Sequence, residues 1–134
     1  MAFTLDVGAA RLARANLENA DLSHAKADGV DFRLANLKYA KMNSTRLKRA
    51  NLSGADLSGA DLTNADLEDA NLSGCRLFDV VFDGANLRGA NLTETEGLST
   101  TALKSATGDR TTRLPAGMKR PATWDVPSHL GAAY

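Results

Sequence analysis

Leu12, Leu17, Leu22, Leu37, Leu47, Leu52, Leu57, Leu62, Leu67, Leu72, Leu77, Leu87 and Leu92 all fall in one register modulo five, and Val7, Ala27, Phe32, Met42 and Phe82 fill its gaps. The stretch from Leu5 to Glu94 therefore divides into 18 five-residue units. This period excludes both common elements. A helix turning about 100° per residue would scatter the leucines round all its faces. A long strand would send alternate leucines to opposite sides of a sheet.

The first place of the unit is Ala in 13 of 18 cases and the second is Asp or Asn in 12, so the triplet reads inward, outward, inward. That is one short extended step, and the last two residues must turn the chain. Gly29, Gly54, Gly59, Gly74, Gly84 and Gly89 occupy the last place, where a positive φ favours a residue without Cβ. With each turn near a right angle, four units close a square and the chain winds into a solenoid.

The run Ala50-Asn51-Leu52-Ser53-Gly54-Ala55-Asp56-Leu57-Ser58-Gly59-Ala60-Asp61-Leu62 resembles the pentapeptide-repeat proteins, whose unit is written A(D/N)LXX. The resemblance implies an all-β fold, a right-handed quadrilateral β-helix of about 4.5 coils over residues 1–94, followed by a capping helix and extended tail over 95–134. The inward residues form the core, with Leu52, Leu57, Leu62, Leu67, Leu72, Leu77, Phe32 and Phe82 as its large members. Each buried leucine contributes about 1.5–3 kcal/mol before entropy. Cys75 stands in an alanine place and reads as a small buried thiol.

Positions 20 apart stack on neighbouring coils. Arg46, Lys48 and Arg49 thus lie under Asp66, Glu68 and Asp69, expected either as a solvated ion-pair ladder or as a binding patch. Tyr39, Phe78 and Val81 are apolar at outward places and offer a second candidate contact. The chain has 16 basic and 16 acidic side chains, but residues 5–49 carry a net +4, residues 50–94 a net −6 and the tail +2. The neutral total is a cancellation along the axis.

Beyond Asn91-Leu92-Thr93 the register fails. Residues 98–106 read as a short helix with Ser99 as N-cap, Leu98 and Leu103 as a hydrophobic staple and Gly108 as its stop. Pro115, Pro121 and Pro127 favour an extended strap anchored by Met118 and Trp124. The N-terminal end has only Met1 to Thr4 as cover, which leaves the first coil open to self-association or marks a domain that follows other sequence.

The sequence carries no catalytic constellation. His24 and His129 are far apart, no nucleophile or phosphate-loop motif occurs, and the outward carboxylates sit on a convex prism. No enzyme activity, cofactor or metal is expected. One cysteine, no apolar run long enough to span a bilayer and no leader after Met1 give the expectation of a soluble cytoplasmic protein without a membrane partner. The expected role is a protein-interaction or scaffold module with an unidentified protein partner, as a monomer or a homodimer through an end of the solenoid. Zero net charge argues against a nucleic-acid partner. The resemblance also implies an alternative, a DNA-mimic modulator of DNA gyrase or topoisomerase, from which this chain departs by its length, its neutral total and its mid-rod cations.

Overall fold

A computed structural model describes residue 6 and residues 10–125 of the chain. The unit Ala55 to Gly59 shows why five residues suffice. The Ala55 amide donates to the Leu52 carbonyl at 2.9 Å and closes the preceding turn. The Asp56 amide donates down to Ala35 at 3.0 Å, while those of Leu57 and Gly59 donate up to Arg76 and Phe78, each at 2.8 Å. The Ser58 amide points along neither direction and is taken by the Asp56 side chain at 3.0 Å. All five amides are satisfied, which is what a chain with both ladder directions occupied requires. Asp or Asn at the second place is a backbone cap, short enough to reach the amide two residues on.

Parallel bridges join second places 20 residues apart, from Asp6 with Lys26 to Arg76 with Glu96. Each side of the square contributes a single bridged residue, because turns arrive too often for longer strands. We number the sides by these residues. Side one carries Arg11, Asp31, Asn51, Asn71 and Asn91; side two Asn16, Asn36, Asp56 and Arg76; side three Asp21, Lys41, Asp61 and Val81; side four Asp6, Lys26, Arg46, Asp66 and Asn86.

The first and third places point inward. Leu52, Leu57, Leu62, Leu67, Leu72, Leu77 and Phe82 are 0% exposed and Phe32 is 1% exposed. Leu12, Leu17 and Ala20, in the lowest described coil, are only partly buried. Polar substitutes for the inward alanine share one solution. The Thr45 hydroxyl donates to the Leu22 carbonyl at 2.9 Å, and the Cys75 thiol donates to that of Leu52 at 3.0 Å.

The corners are less glycine-dependent than the sequence suggests. Among the described residues eleven non-glycine residues turn with positive φ, from Arg14 at 64° to Glu94 at 61°. The left-handed region costs such a residue about 1–2 kcal/mol, set against a ladder bond and a closed turn. Space is what some corners require instead. A Cβ on Gly54 would lie 2.7 Å from Leu34, and one on Gly59 would meet the Tyr39 ring. The bulky corners Leu34 and Tyr39 are each matched by glycine in the next coil.

Bridging outlasts the sequence register. Glu96 pairs with Arg76, Thr107 with Asn86 and Arg113 with Asn91, so the segment to Leu114 lays a further coil on the stack. Side three of that coil is replaced by helix α1, Thr100–Lys104, whose Ser99 cap accepts from the Ala102 amide at 3.1 Å and whose Leu103 is buried. The helix ends at Ser105, not at Gly108 as the sequence suggested. Gly108 instead makes room for Trp124, whose ring would lie 2.6 Å from a Cβ at that place. The Trp124 indole donates to the Ala106 carbonyl at 3.2 Å. Arg120 completes the closure, with Nε 3.1 Å from the Asp109 carbonyl and Nη2 donating to Thr112. These side chains take carbonyls at the open edge of the last coil. Pro127 lies outside the described residues.

Candidate functional surfaces

The outward places of a coil are held by backbone on both neighbours, so side chains there stand on a stiff lattice. The four central rungs of side four, at the second, fourth and fifth places, are Lys26 and Asp28; Arg46, Lys48 and Arg49; Asp66, Glu68 and Asp69; Asn86 and Arg88. The backbones of Arg46 and Asp66 are bridged, yet the straight side-chain pairs of a ladder are not made. Arg46 turns down to Asp28 at 3.0 Å, and the same carboxylate accepts the Lys48 amide at 2.9 Å. Arg46 occupies the place of the usual Asp or Asn, so Asp28 from the coil below supplies the missing cap. Lys48 Nζ reaches Asp66 diagonally at 3.9 Å. Asp66 and Glu68 each accept from Asn86 at 3.2 Å. Among the described residues Arg49 and Asp69 make no ion pair.

Side two, on the opposite flank, gathers the apolar exposure. Tyr39 is 61% exposed at one of its corners, Leu34 is 51% exposed at the other, and Phe78 is 44% exposed two coils above Lys38. The Phe78 ring rests against Gly97 and is covered in part by Arg76, 5.2 Å from the ring centroid. Arg76 is itself held by Asp56 at 3.5 Å and Glu96 at 3.2 Å. Between Leu34, Tyr39 and Phe78 lie Gly54, Ser58 and Gly59, and the space above them is taken: Leu34 lies over Gly54, the Tyr39 ring lies over Gly59, and the Ser58 hydroxyl is buried. Val81 stands apart on side three.

Leu34 was missed by sequence reasoning because it hides among leucines, but it stands two places past Phe32 and is therefore off register. Asp28 was missed too, although it lies 20 residues before Lys48.

Other reactive groups are engaged or remote. Burial pushes the Cys75 thiol up to about 12, leaving it protonated and inert. Hydrogen bonds and charge from Arg33, with a bond from its amide, hold the Asp31 carboxyl down at about 2. His24 turns a corner at φ 62°, and His129 lies outside the described residues. Among the described residues no group of three or more His, Cys, Asp or Glu could hold a metal ion, and no helix is long and apolar enough to cross a membrane.

Residues 15–54 and 55–94 match the family model described as pentapeptide repeats, in eight copies. Among solved structures, Rfr23 from the cyanobacterium Cyanothece 51142, a pentapeptide-repeat protein, is 38% identical, with a TM-score of 0.48, over 74% of this chain and 63% of that one. A pentapeptide-repeat protein of the Arabidopsis thaliana thylakoid lumen is 26% identical with a TM-score of 0.50, over 78% of each chain. QnrB1, a plasmid-mediated fluoroquinolone resistance protein, is 23% identical with a TM-score of 0.46, over 75% of this chain and 60% of that one. This chain thus spans less than two thirds of Rfr23 and of QnrB1. No curated protein matches it. Five-residue units, 20-residue bridging and the family match agree, and the chain belongs to the pentapeptide-repeat family.

Proposed function

We propose that this chain is a non-enzymatic interaction module that presents a rigid solenoid surface to a protein partner. The observation that carries this reading is side two, where Leu34, Tyr39 and Phe78 stand exposed, Leu34 and Tyr39 seated on the glycine corners of the next coil. Large apolar side chains on a stiff surface provide contact area with little ordering cost on binding. With it we propose the right-handed winding of the family and, from the single buried thiol, a reducing compartment.

Affinity capture with the wild-type chain and with a Tyr39→Ser/Phe78→Ser variant tests the assignment. Partners retained by the wild type should be lost by the variant. An unchanged set of partners would remove side two from the proposal. The DNA-mimic reading draws on one observation, the net −6 of residues 50–94. Against it, Arg46, Lys48 and Arg49 interrupt the negative surface that imitation of a phosphate backbone needs. Absence of any effect in a gyrase supercoiling assay at micromolar protein would end that alternative.

A further inference from the structure

On side four, the rung of Arg46, Lys48 and Arg49 is adjacent to the rung of Asp66, Glu68 and Asp69, and these two rungs are flanked by Asp28 below and Arg88 above. Consider a second copy laid face to face, related by a two-fold axis that lies in the interface, across the coil axis, midway between the two triads. This operation reverses the order of rungs and keeps each residue's place along the side. Arg46 then faces Asp66 of the second copy, Lys48 faces Glu68, Arg49 faces Asp69 and Asp28 faces Arg88, and each pairing occurs twice. Two parallel copies would instead set each rung against itself, cation on cation and anion on anion. Self-complementarity under one operation and repulsion under the other is the pattern of an isologous two-fold interface.

We propose that side four is an antiparallel homodimer interface, formed by charge complementarity between the two triads. The intrachain bonds leave it available. Within one chain the straight triad pairs are not formed, Arg49 and Asp69 make no ion pair among the described residues, and Arg46, Arg49, Asp69 and Arg88 are all exposed. The four rungs span about 15 Å at ordinary strand spacing, a small contact of the transient class. Exposed ion pairs are individually weak and screened by salt, so the dimer is weak and salt-labile. It leaves side two, on the opposite flank, open in both copies.

Sedimentation equilibrium on the full chain, in about 20 mM and about 500 mM salt, tests this directly. The dissociation constant should rise by at least about tenfold at the higher salt. Arg46→Glu/Arg49→Glu and Asp66→Lys/Asp69→Lys should each be monomeric alone and should form a one-to-one dimer when mixed. To fix the orientation, Asp28→Cys and Arg88→Cys, which face each other across the antiparallel interface while each lies three rungs, about 14 Å, from its own copy, are oxidised separately and together; the buried Cys75 does not compete. A disulfide dimer should form only in the mixture. Circular dichroism of each variant checks that it is folded, and the wild-type and cysteine experiments stand without the charge swaps. A wild type that stays monomeric at low salt overturns the proposal. So does a dimer that survives high salt or the charge swaps, which would place self-association at an end of the solenoid. Cross-linking of Asp28→Cys with itself overturns the antiparallel arrangement.

Discussion

Between Ala55 and Gly59 each backbone amide finds its partner by a five-residue rule, whereas between Thr95 and Leu114 the same ladder is continued by a helix, a tryptophan and an arginine. In the regular coils one alanine, one Asx cap and one leucine serve each side. In the last coil α1 replaces a whole side, Trp124 packs against Gly108 at a third place, and the Arg120 guanidinium occupies carbonyls at the edge. What the solenoid demands is therefore filled volume and satisfied backbone groups, and the repeat is only the most economical way to supply them.

Breaking the regular coils should have the largest effect. Leu57→Asp removes about 1.5–3 kcal/mol of burial and adds a desolvation cost of several kcal/mol for the carboxyl. Together these rival the about 5–15 kcal/mol that holds a domain. Calorimetry should show no cooperative transition; a sharp one near the wild-type temperature would mean that Leu57 is not inward. Trp124→Ala should cost about 3–5 kcal/mol, concentrated in the last coil. Limited proteolysis should then cut within residues 95–114 while residues 35–75 stay intact, and equal cutting of both regions would erase the distinction between them.

Smaller changes separate the cap from the core. Asn71→Ala leaves the Ser73 amide, now bonded at 2.9 Å, without its side-chain acceptor and should cost about 1 kcal/mol in urea denaturation. No loss would show that water caps this amide equally well. Asp31 gives the smallest effect, through pH. Its folded carboxyl, at about 2, lies below the ordinary 3.8, so its contribution is present above pH 3.8 and is lost as pH falls towards 2. Asp31→Asn should flatten the stability profile in that window, and an unchanged profile would remove the Arg33 bonds as its cause.

The same contrast explains what was legible in the sequence. The inward places from Leu22 to Leu92 follow from periodicity alone, and so does the stacking of Arg46 beneath Asp66. The bonds those side chains make do not follow, because an arginine is long enough to choose between coils and Asp28 offers it a partner from below. The last coil was hidden by spacing: Thr107 lies 21 residues after Asn86 and Arg113 lies 22 after Asn91, so the register slips twice. One signal was present. Thr112-Arg113-Leu114 repeats Thr45-Arg46-Leu47, and the Thr112 hydroxyl donates to the Leu87 carbonyl at 2.7 Å as Thr45 does to Leu22. The outward place of Tyr39 followed from the register, whereas that of Leu34 was masked by its residue type, a leucine at a corner that turns with positive φ without glycine.

Residue-resolved amide hydrogen exchange tests most directly whether residues 95–114 form a coil of the solenoid. The amides of Glu96, Thr107 and Arg113 donate to Cys75, Ala85 and Ala90 at 2.9, 2.8 and 2.9 Å, as those of Asn71 and Asn91 donate to Ala50 and Ala70, both at 2.9 Å. Protection of the first three amides at a level near that of Asn71 and Asn91 is the expected result. Exchange of Glu96, Thr107 and Arg113 at the rate of an open chain, with Asn71 still protected, would contradict it.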